Sequence, residues 1–83
     1  MLNDKVLVNV YVLNIDKNFD MYVPINEKIG NILLLLKKSF TEIDMVNFNK
    51  DLILLNLLNG KVYQYDEILK NTDINNNAKL LLI

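Results

Sequence analysis

The chain has 83 residues and contains no cysteine, no histidine and no tryptophan. Without cysteine, it has no disulfide framework, no thiolate nucleophile and no zinc-finger site. Without histidine, it lacks the usual acid–base group at neutral pH, so Ser39, the one serine, has no histidine to activate it. The carboxylates are scattered over the sequence and match no calcium-loop spacing. These absences predict a protein that is not an enzyme and that holds no metal and no cofactor.

Glycine and long apolar runs are scarce, and positive charge is not in excess. The two glycines, Gly30 and Gly60, cannot form a glycine-rich phosphate loop. Ten acidic residues offset nine lysines, and arginine does not occur, so binding to nucleic acid is not expected. The longest apolar run, 32–36, is far shorter than the roughly 20 residues that span a bilayer. No signal-peptide pattern is visible, and the sequence predicts a cytoplasmic protein without membrane insertion.

Alternating apolar residues predict two strands at the start of the chain. Residues 5–13 alternate four valines with other residues, and residues 19–23 alternate apolar residues with Asp20 and Tyr22. Such period-two alternation, rich in β-branched residues, is typical of strands. The composition of 14–18 is that of a turn, which makes a hairpin the expected connection. The valine face of the first strand is expected to lie on the core.

The period changes after the second strand. Five apolar residues then recur at helical spacing: Ile29, Ile32, Leu33, Leu36 and Phe40. This spacing predicts a helix over roughly 27–40. Leu34 and Leu35 lie off the apolar stripe, so they are expected to be exposed or covered by the following loop. Residues 41–51 predict a connection that four residues pin to the core: Ile43, Met45, Val46 and Phe48.

A second hairpin is predicted in the later part of the chain. Residues 52–58 and 61–65 form its strands, and Asn59 and Gly60 form a two-residue turn, the strongest short hairpin signal in the sequence. Alternation then divides the hairpin into two faces. One face carries Ile53, Leu55, Leu57 and Val62. The other face carries Leu54, Asn56, Leu58, Tyr63 and Tyr65.

The last segments predict a short helical turn and a fifth strand. Residues 66–71 form the helical turn, with Leu69 pointing inwards, and residues 73–77 form a turn rich in asparagine. The fifth strand, 78–83, places two residues on each face: Leu80 and Leu82 on one, Leu81 and Ile83 on the other.

The order of these elements resembles the ubiquitin-like β-grasp fold. Three segments carry the resemblance: Val-Pro-Ile-Asn-Glu-Lys-Ile (23–29) at the strand-to-helix junction, Leu-Asn-Gly-Lys-Val (58–62) at the later hairpin, and 68–82 at the closing turn and strand. The resemblance implies an α+β fold in a single domain, 1–83, with a mixed sheet of four to five strands packed on one helix. It also implies that the last strand lies between the first and the third. Asp73 and Asn77 stand where the family usually has glycine, and both tolerate left-handed backbone.

Among small bacterial proteins, the chain resembles the YukD/EsaB-like family. Its members are ubiquitin-like chains encoded with type VII secretion systems. Conjugated ubiquitins end in a flexible Gly-Gly tail, whereas this sequence ends with 80–83 in the predicted last strand. The resemblance therefore implies a protein that is not conjugated and that is an accessory component of a bacterial type VII secretion system.

The helix of a β-grasp fold covers one face of the sheet and leaves the other face open. Eight side chains are expected on that open face and are predicted to bind a protein: Leu7, Tyr11, Tyr22, Leu54, Leu58, Tyr63, Leu81 and Ile83. Contiguous apolar surface with tyrosines is typical of interaction sites, and the recognition patch of ubiquitin lies on the same face. A slip of one residue in strand register would exchange the two faces.

The sequence therefore predicts a non-catalytic adaptor, a module that binds a protein partner through this face. The alternative is a structural domain that self-associates, forming a homodimer through the same open face.

Overall fold

The computed structural model describes residues 4–44 and 51–83. Within these residues the chain forms four strands and one helix: β1 (Lys5–Val12), β2 (Lys17–Pro24), α1 (Ile29–Asp44), β3 (Leu54–Asn56) and β4 (Ala78–Leu82). Two short 3-10 turns, Leu13–Ile15 and Leu69–Asn71, lie between them. The predicted helical turn with a buried Leu69 is confirmed.

The first hairpin has the predicted form. β1 and β2 pair antiparallel, with Val8 opposite Met21 and Val10 opposite Phe19. Val8, Val10 and Val12 are almost completely buried, which confirms the valine face as the core face. Because directly opposed residues share a face of the sheet, the apolar residues of both strands lie on the same side.

The sheet has the strand order β2-β1-β4-β3. β4 pairs in parallel with β1 and antiparallel with β3. This confirms the predicted mixed sheet with the last strand between the first and the third. The separate strand predicted over 61–65 is wrong: within the described part of the chain, that stretch contributes a single bridge, from Val62 to Leu55.

The helix packs its apolar stripe on the valine face of the sheet. Its five predicted core residues are all buried: Ile29, Ile32, Leu33, Leu36 and Phe40. Leu34 and Leu35 are exposed, at 67% and 57%. α1 begins two residues later than predicted and continues to Asp44. The predicted core contacts of Ile43, Met45, Val46 and Phe48 lie outside what the structure describes.

Among the described residues, no helix combines the length and apolar character needed to cross a membrane.

The face of the second hairpin that packs against the helix is the face predicted to be open. In the antiparallel pair of β3 and β4, Leu54 lies opposite Leu82, and Asn56 lies opposite Leu80. Since Leu80 and Leu82 are buried in the core, their partners on β3 must also face the helix. Leu54 and Tyr63 are each only 2% exposed. Their predicted place on the open face is therefore wrong.

The turn of this hairpin is also longer than predicted. The backbone N–H of Asn56 donates to the carbonyl of Lys61 at 2.9 Å, and the N–H of Gly60 donates to the carbonyl of Asn56 at 2.8 Å. Four residues, 57–60, therefore form the turn instead of two. Gly60 has a φ of 74°, a left-handed conformation that glycine reaches without a steric penalty.

Candidate protein-binding face

The face of the sheet opposite α1 carries a cluster of apolar side chains at its β3 and β4 end. We call this cluster the apolar corner, and it consists of Ile53, Leu55, Leu57, Val62, Leu81 and Ile83. Leu55 lies opposite Leu81. Ile53 exchanges both backbone hydrogen bonds with Ile83, at 2.7 and 3.0 Å. Ile53, Leu57 and Val62 are 39%, 46% and 49% exposed, so the corner presents apolar surface to water.

The β1 and β2 half of the same face also carries polar side chains. Asn9 lies opposite Asp20, and its Nδ2 donates to Asp20 Oδ1 at 3.0 Å. The hydroxyl of Tyr11 donates to Asp16 in the turn between the two strands. That hydrogen bond raises the pKa of the Tyr11 phenol above its ordinary value. Because Tyr11 lies opposite Leu81, a fixed tyrosine adjoins the apolar corner.

A buried polar pair lies beneath the 57–60 turn. Tyr63 is 2% exposed and Asn56 is 7% exposed. The Tyr63 hydroxyl donates to Asp73 Oδ1 at 2.5 Å and accepts from Asn56 Nδ2 at 3.2 Å. Burial, followed by the bond to Asp73, raises the pKa of Tyr63 to about 12. The same bond lowers the pKa of Asp73 below its ordinary value, so at neutral pH a phenol is bound to a carboxylate.

Side chains of this group also hold the backbone of the turn. Asn56 Oδ1 accepts the backbone N–H groups of Leu58 at 2.8 Å and of Asn59 at 3.4 Å. Asn59 Oδ1 accepts the N–H of Lys61 at 2.9 Å. Asn59 Nδ2 donates to the second oxygen of Asp73, Oδ2, at 3.2 Å. The turn is therefore bonded to the hairpin below it and to the loop before β4.

The predicted binding residues lie in three places. Five lie on the open face by strand register: Leu7, Tyr11, Tyr22, Leu81 and Ile83. Leu58 lies in the 57–60 turn and is 81% exposed. Leu54 and Tyr63 lie in the core, where they support the face from below.

The eight predicted binding residues leave out four members of the apolar corner: Ile53, Leu55, Leu57 and Val62. Alternation had grouped them correctly on one face, but that face was assigned to the helix. The signal that identifies them is the pairing of β3 with β4, because Leu55 opposes Leu81, which was assigned to the open face.

The sequence matches no family profile and no curated protein sequence. Solved structures do match it, and ubiquitin-like domains recur among them. The ubiquitin-like domain of an Arabidopsis thaliana protein is 17% identical, with a TM-score of 0.66 over 96% of this chain and 77% of that chain.

Two further matches come from larger assemblies. A chain of the toluene 4-monooxygenase complex with 4-bromobenzoate is 6% identical, with a TM-score of 0.78 over 94% of this chain and 95% of that chain. A chain of the MycP5-free ESX-5 inner membrane complex is 11% identical, with a TM-score of 0.69 over 96% of this chain and 21% of that chain. At such identities a match shows the fold alone. With one helix packed on a four-stranded mixed sheet, the chain has the ubiquitin-like β-grasp fold.

Proposed function

We propose that this chain is a non-catalytic protein-interaction module that binds its partner at the apolar corner. The observation that carries the proposal is the exposure of Ile53, Leu57 and Val62, which surround Leu55 on the open face by strand register. Contiguous apolar surface of this kind, next to polar groups, marks interaction sites in small proteins. Burial of such side chains against a partner removes apolar area from water, which favours association.

The shape and border of the corner favour a protein as the partner. Pockets for small molecules are concave, whereas the corner is built on one side of an open sheet. Its neighbours include Tyr11, which the bond to Asp16 holds in place. Tyrosine buries a large area with few rotatable bonds and keeps a polar end, which suits the border of a protein interface.

The more specific part of the proposal is an adaptor role as a cytoplasmic accessory component of a bacterial type VII secretion system, in which residues 1–83 form one binding domain. It is supported by the resemblance of the sequence to the YukD/EsaB-like family. The match to a chain of the ESX-5 inner membrane complex adds support, because the same fold occurs there within a longer chain.

Affinity capture from the source cells tests the binding surface. The bait is the wild-type chain, compared with Leu57→Glu in the apolar corner and Leu35→Glu on the exposed side of α1. Leu57 is 46% exposed and Leu35 is 57% exposed, so both charges enter water and both variants are expected to stay folded. Leu57→Glu is expected to lose the specifically captured protein, and Leu35→Glu is expected to retain it.

Equal capture by Leu57→Glu and wild type would remove the apolar corner as the binding site. Sedimentation equilibrium of the same three proteins at micromolar concentration separates the homodimer alternative. A monomeric wild type excludes it. If the wild type is a dimer and Leu57→Glu is a monomer, the partner is a second copy of the chain.

A further inference from the structure

The apolar corner is bordered by a turn whose position depends on polar groups. Leu57 and Leu58 both lie in the 57–60 turn, and Leu58 is 81% exposed. Beneath the turn, two core positions hold Asn56 and Tyr63 instead of apolar residues. A buried amide and a buried hydroxyl cost free energy unless they are hydrogen-bonded. Their presence in the core of so small a chain therefore calls for a physical role.

The hydrogen bonds of these residues converge on one carboxylate. Asp73 accepts from Tyr63 at Oδ1, at 2.5 Å, and from Asn59 at Oδ2, at 3.2 Å. Tyr63 in turn accepts from Asn56, whose Oδ1 holds the N–H of Leu58. Hydrogen bonds to an ionised acceptor are stronger than those between neutral groups. One carboxylate therefore bonds to the middle of the turn and to the tyrosine beneath it.

We propose that Asp73 is a positioning residue that fixes the 57–60 turn, and with it Leu57 of the apolar corner and the neighbouring Leu58. The importance of this positioning for binding a partner rests on the proposed function. The positioning itself is a property of the free chain and can be tested without a partner. Asp73 comes from the loop before β4, so the turn is held by a segment well separated from it in sequence.

One charged group, Lys61, favours the ionised form of Asp73. Lys61 lies near enough to lower the pKa of Asp73 by its charge. The Lys61 Nζ also lies 5.2 Å from the centre of the Tyr63 ring and 3.9 Å from Glu67 Oε1. The negative charge of Glu67 favours the neutral form of the Tyr63 phenol. Acidification that protonates Asp73 removes the ionised acceptor for Tyr63 and Asn59.

Amide hydrogen exchange and chemical shifts, followed by NMR on the free protein, test this proposal. The variant is Asp73→Asn, and the matched control is Asp66→Asn, which removes the same charge from an exposed position seven residues earlier in the sequence. At neutral pH, Asp73→Asn is expected to speed exchange at the amides of Leu58 and Lys61 by about tenfold. The sheet amides of Leu80 and Leu82 are expected to keep their wild-type rates.

Acid titration gives a second readout, which follows the ionisation of Asp73 itself. In the wild type, the amide shifts of Leu58 and Lys61 are expected to change with a midpoint below 3.8, the ordinary value for an aspartate. In Asp73→Asn this step is expected to disappear, and in Asp66→Asn it is expected to remain. Tyr63→Phe, which keeps the carboxylate but removes one of its donors, is expected to speed exchange at the Leu58 amide as Asp73→Asn does.

Two results would overturn the proposal. Unchanged exchange at Leu58 and Lys61 in both Asp73→Asn and Tyr63→Phe would mean that the other hydrogen bonds of the turn, such as the backbone bond from Gly60 to Asn56, hold it without Asp73. Equally faster exchange at Leu80 and Leu82 would mean that Asp73 supports the whole fold and not the turn. A failure of Leu57→Glu to abolish capture would reject the proposed function and leave these NMR outcomes as they are, so the two failures are distinguishable.

Discussion

At the residue scale, Tyr63 illustrates how a polar group can occupy a core position. Its ring is buried among apolar side chains, and its hydroxyl has both a donor and an acceptor partner, Asn56 and Asp73. Because the acceptor is a carboxylate, the bond is of the stronger, charge-assisted kind. In the sequence Asn56 stands among leucines and Tyr63 stands between Val62 and Gln64, a pattern that does not distinguish a bonded pair in the core from an exposed one.

Tyr63→Phe is expected to lower the free energy of unfolding by about 1–2 kcal/mol. The substitution keeps the ring in the core but leaves the buried Asn56 Nδ2 without its acceptor. Urea denaturation at neutral pH measures the change. Tyr22→Phe, at an exposed position on β2, is the control and should stay within about 0.5 kcal/mol of wild type. Equal stability of the two variants would show that the buried hydroxyl contributes nothing.

At the scale of elements, the turn of the second hairpin depends on one backbone conformation. Gly60 has a φ of 74°, and a Cβ built on it would have no neighbour within 4 Å. Gly60→Ala is therefore expected to destabilise the protein by about 1 kcal/mol through backbone strain alone. Gly60→Asn is expected to cost less, because asparagine tolerates left-handed backbone. Thermal unfolding of the two variants measures the difference, and equal losses would point to a cause other than backbone conformation.

The elements differ in how much of them the sequence can predict. The first hairpin and the helix were predicted because strong periodicity fixes both the element and its buried side, as the valines of β1 and the stripe from Ile29 to Phe40 show. Asn77 was also predicted correctly as a residue suited to left-handed backbone, and its φ is 69°.

The second hairpin was harder to predict because both of its faces carry leucine. Alternation shows that Leu54 and Asn56 share a face but does not show which face the helix covers. That choice is made by pairing with β4, a contact between segments far apart in sequence. The location of the apolar corner follows from the same pairing, so it could not be read from local pattern, although Leu81 and Ile83 were placed on the open face.

At the scale of the whole molecule, the β-grasp architecture has one helix for a sheet with two faces. The core lies on the helix side. Folding of a chain this short buries only about 60% of the surface that its unfolded state exposes. The open side therefore has apolar side chains that a partner can cover without disturbing the core. The buried polar pair, Asn56 and Tyr63, lies in the core and directly below the border of the apolar corner.

Alkaline pH is expected to destabilise the whole molecule through Tyr63. Its pKa is raised from 10.0 to about 12, mainly by burial and by the bond to Asp73. Between these two values the unfolded chain has lost the phenol proton and the folded chain still holds it. Because the folded state then binds more protons, the contribution of Tyr63 to stability is fully present below pH 10 and is lost as the pH rises towards 12.

Urea denaturation across this alkaline range, with phenolate absorbance followed in parallel, measures the effect. Between pH 10 and 12, the two values that bracket the shift, Tyr63→Phe is expected to lose less stability than Tyr22→Phe. Both variants retain the lysines, but only Tyr22→Phe retains Tyr63. Absorbance should show the Tyr63 phenolate forming in step with unfolding. Parallel loss of stability in the two variants, or a Tyr63 phenolate that forms at the ordinary pKa in the folded protein, would contradict the burial and bonding of this hydroxyl.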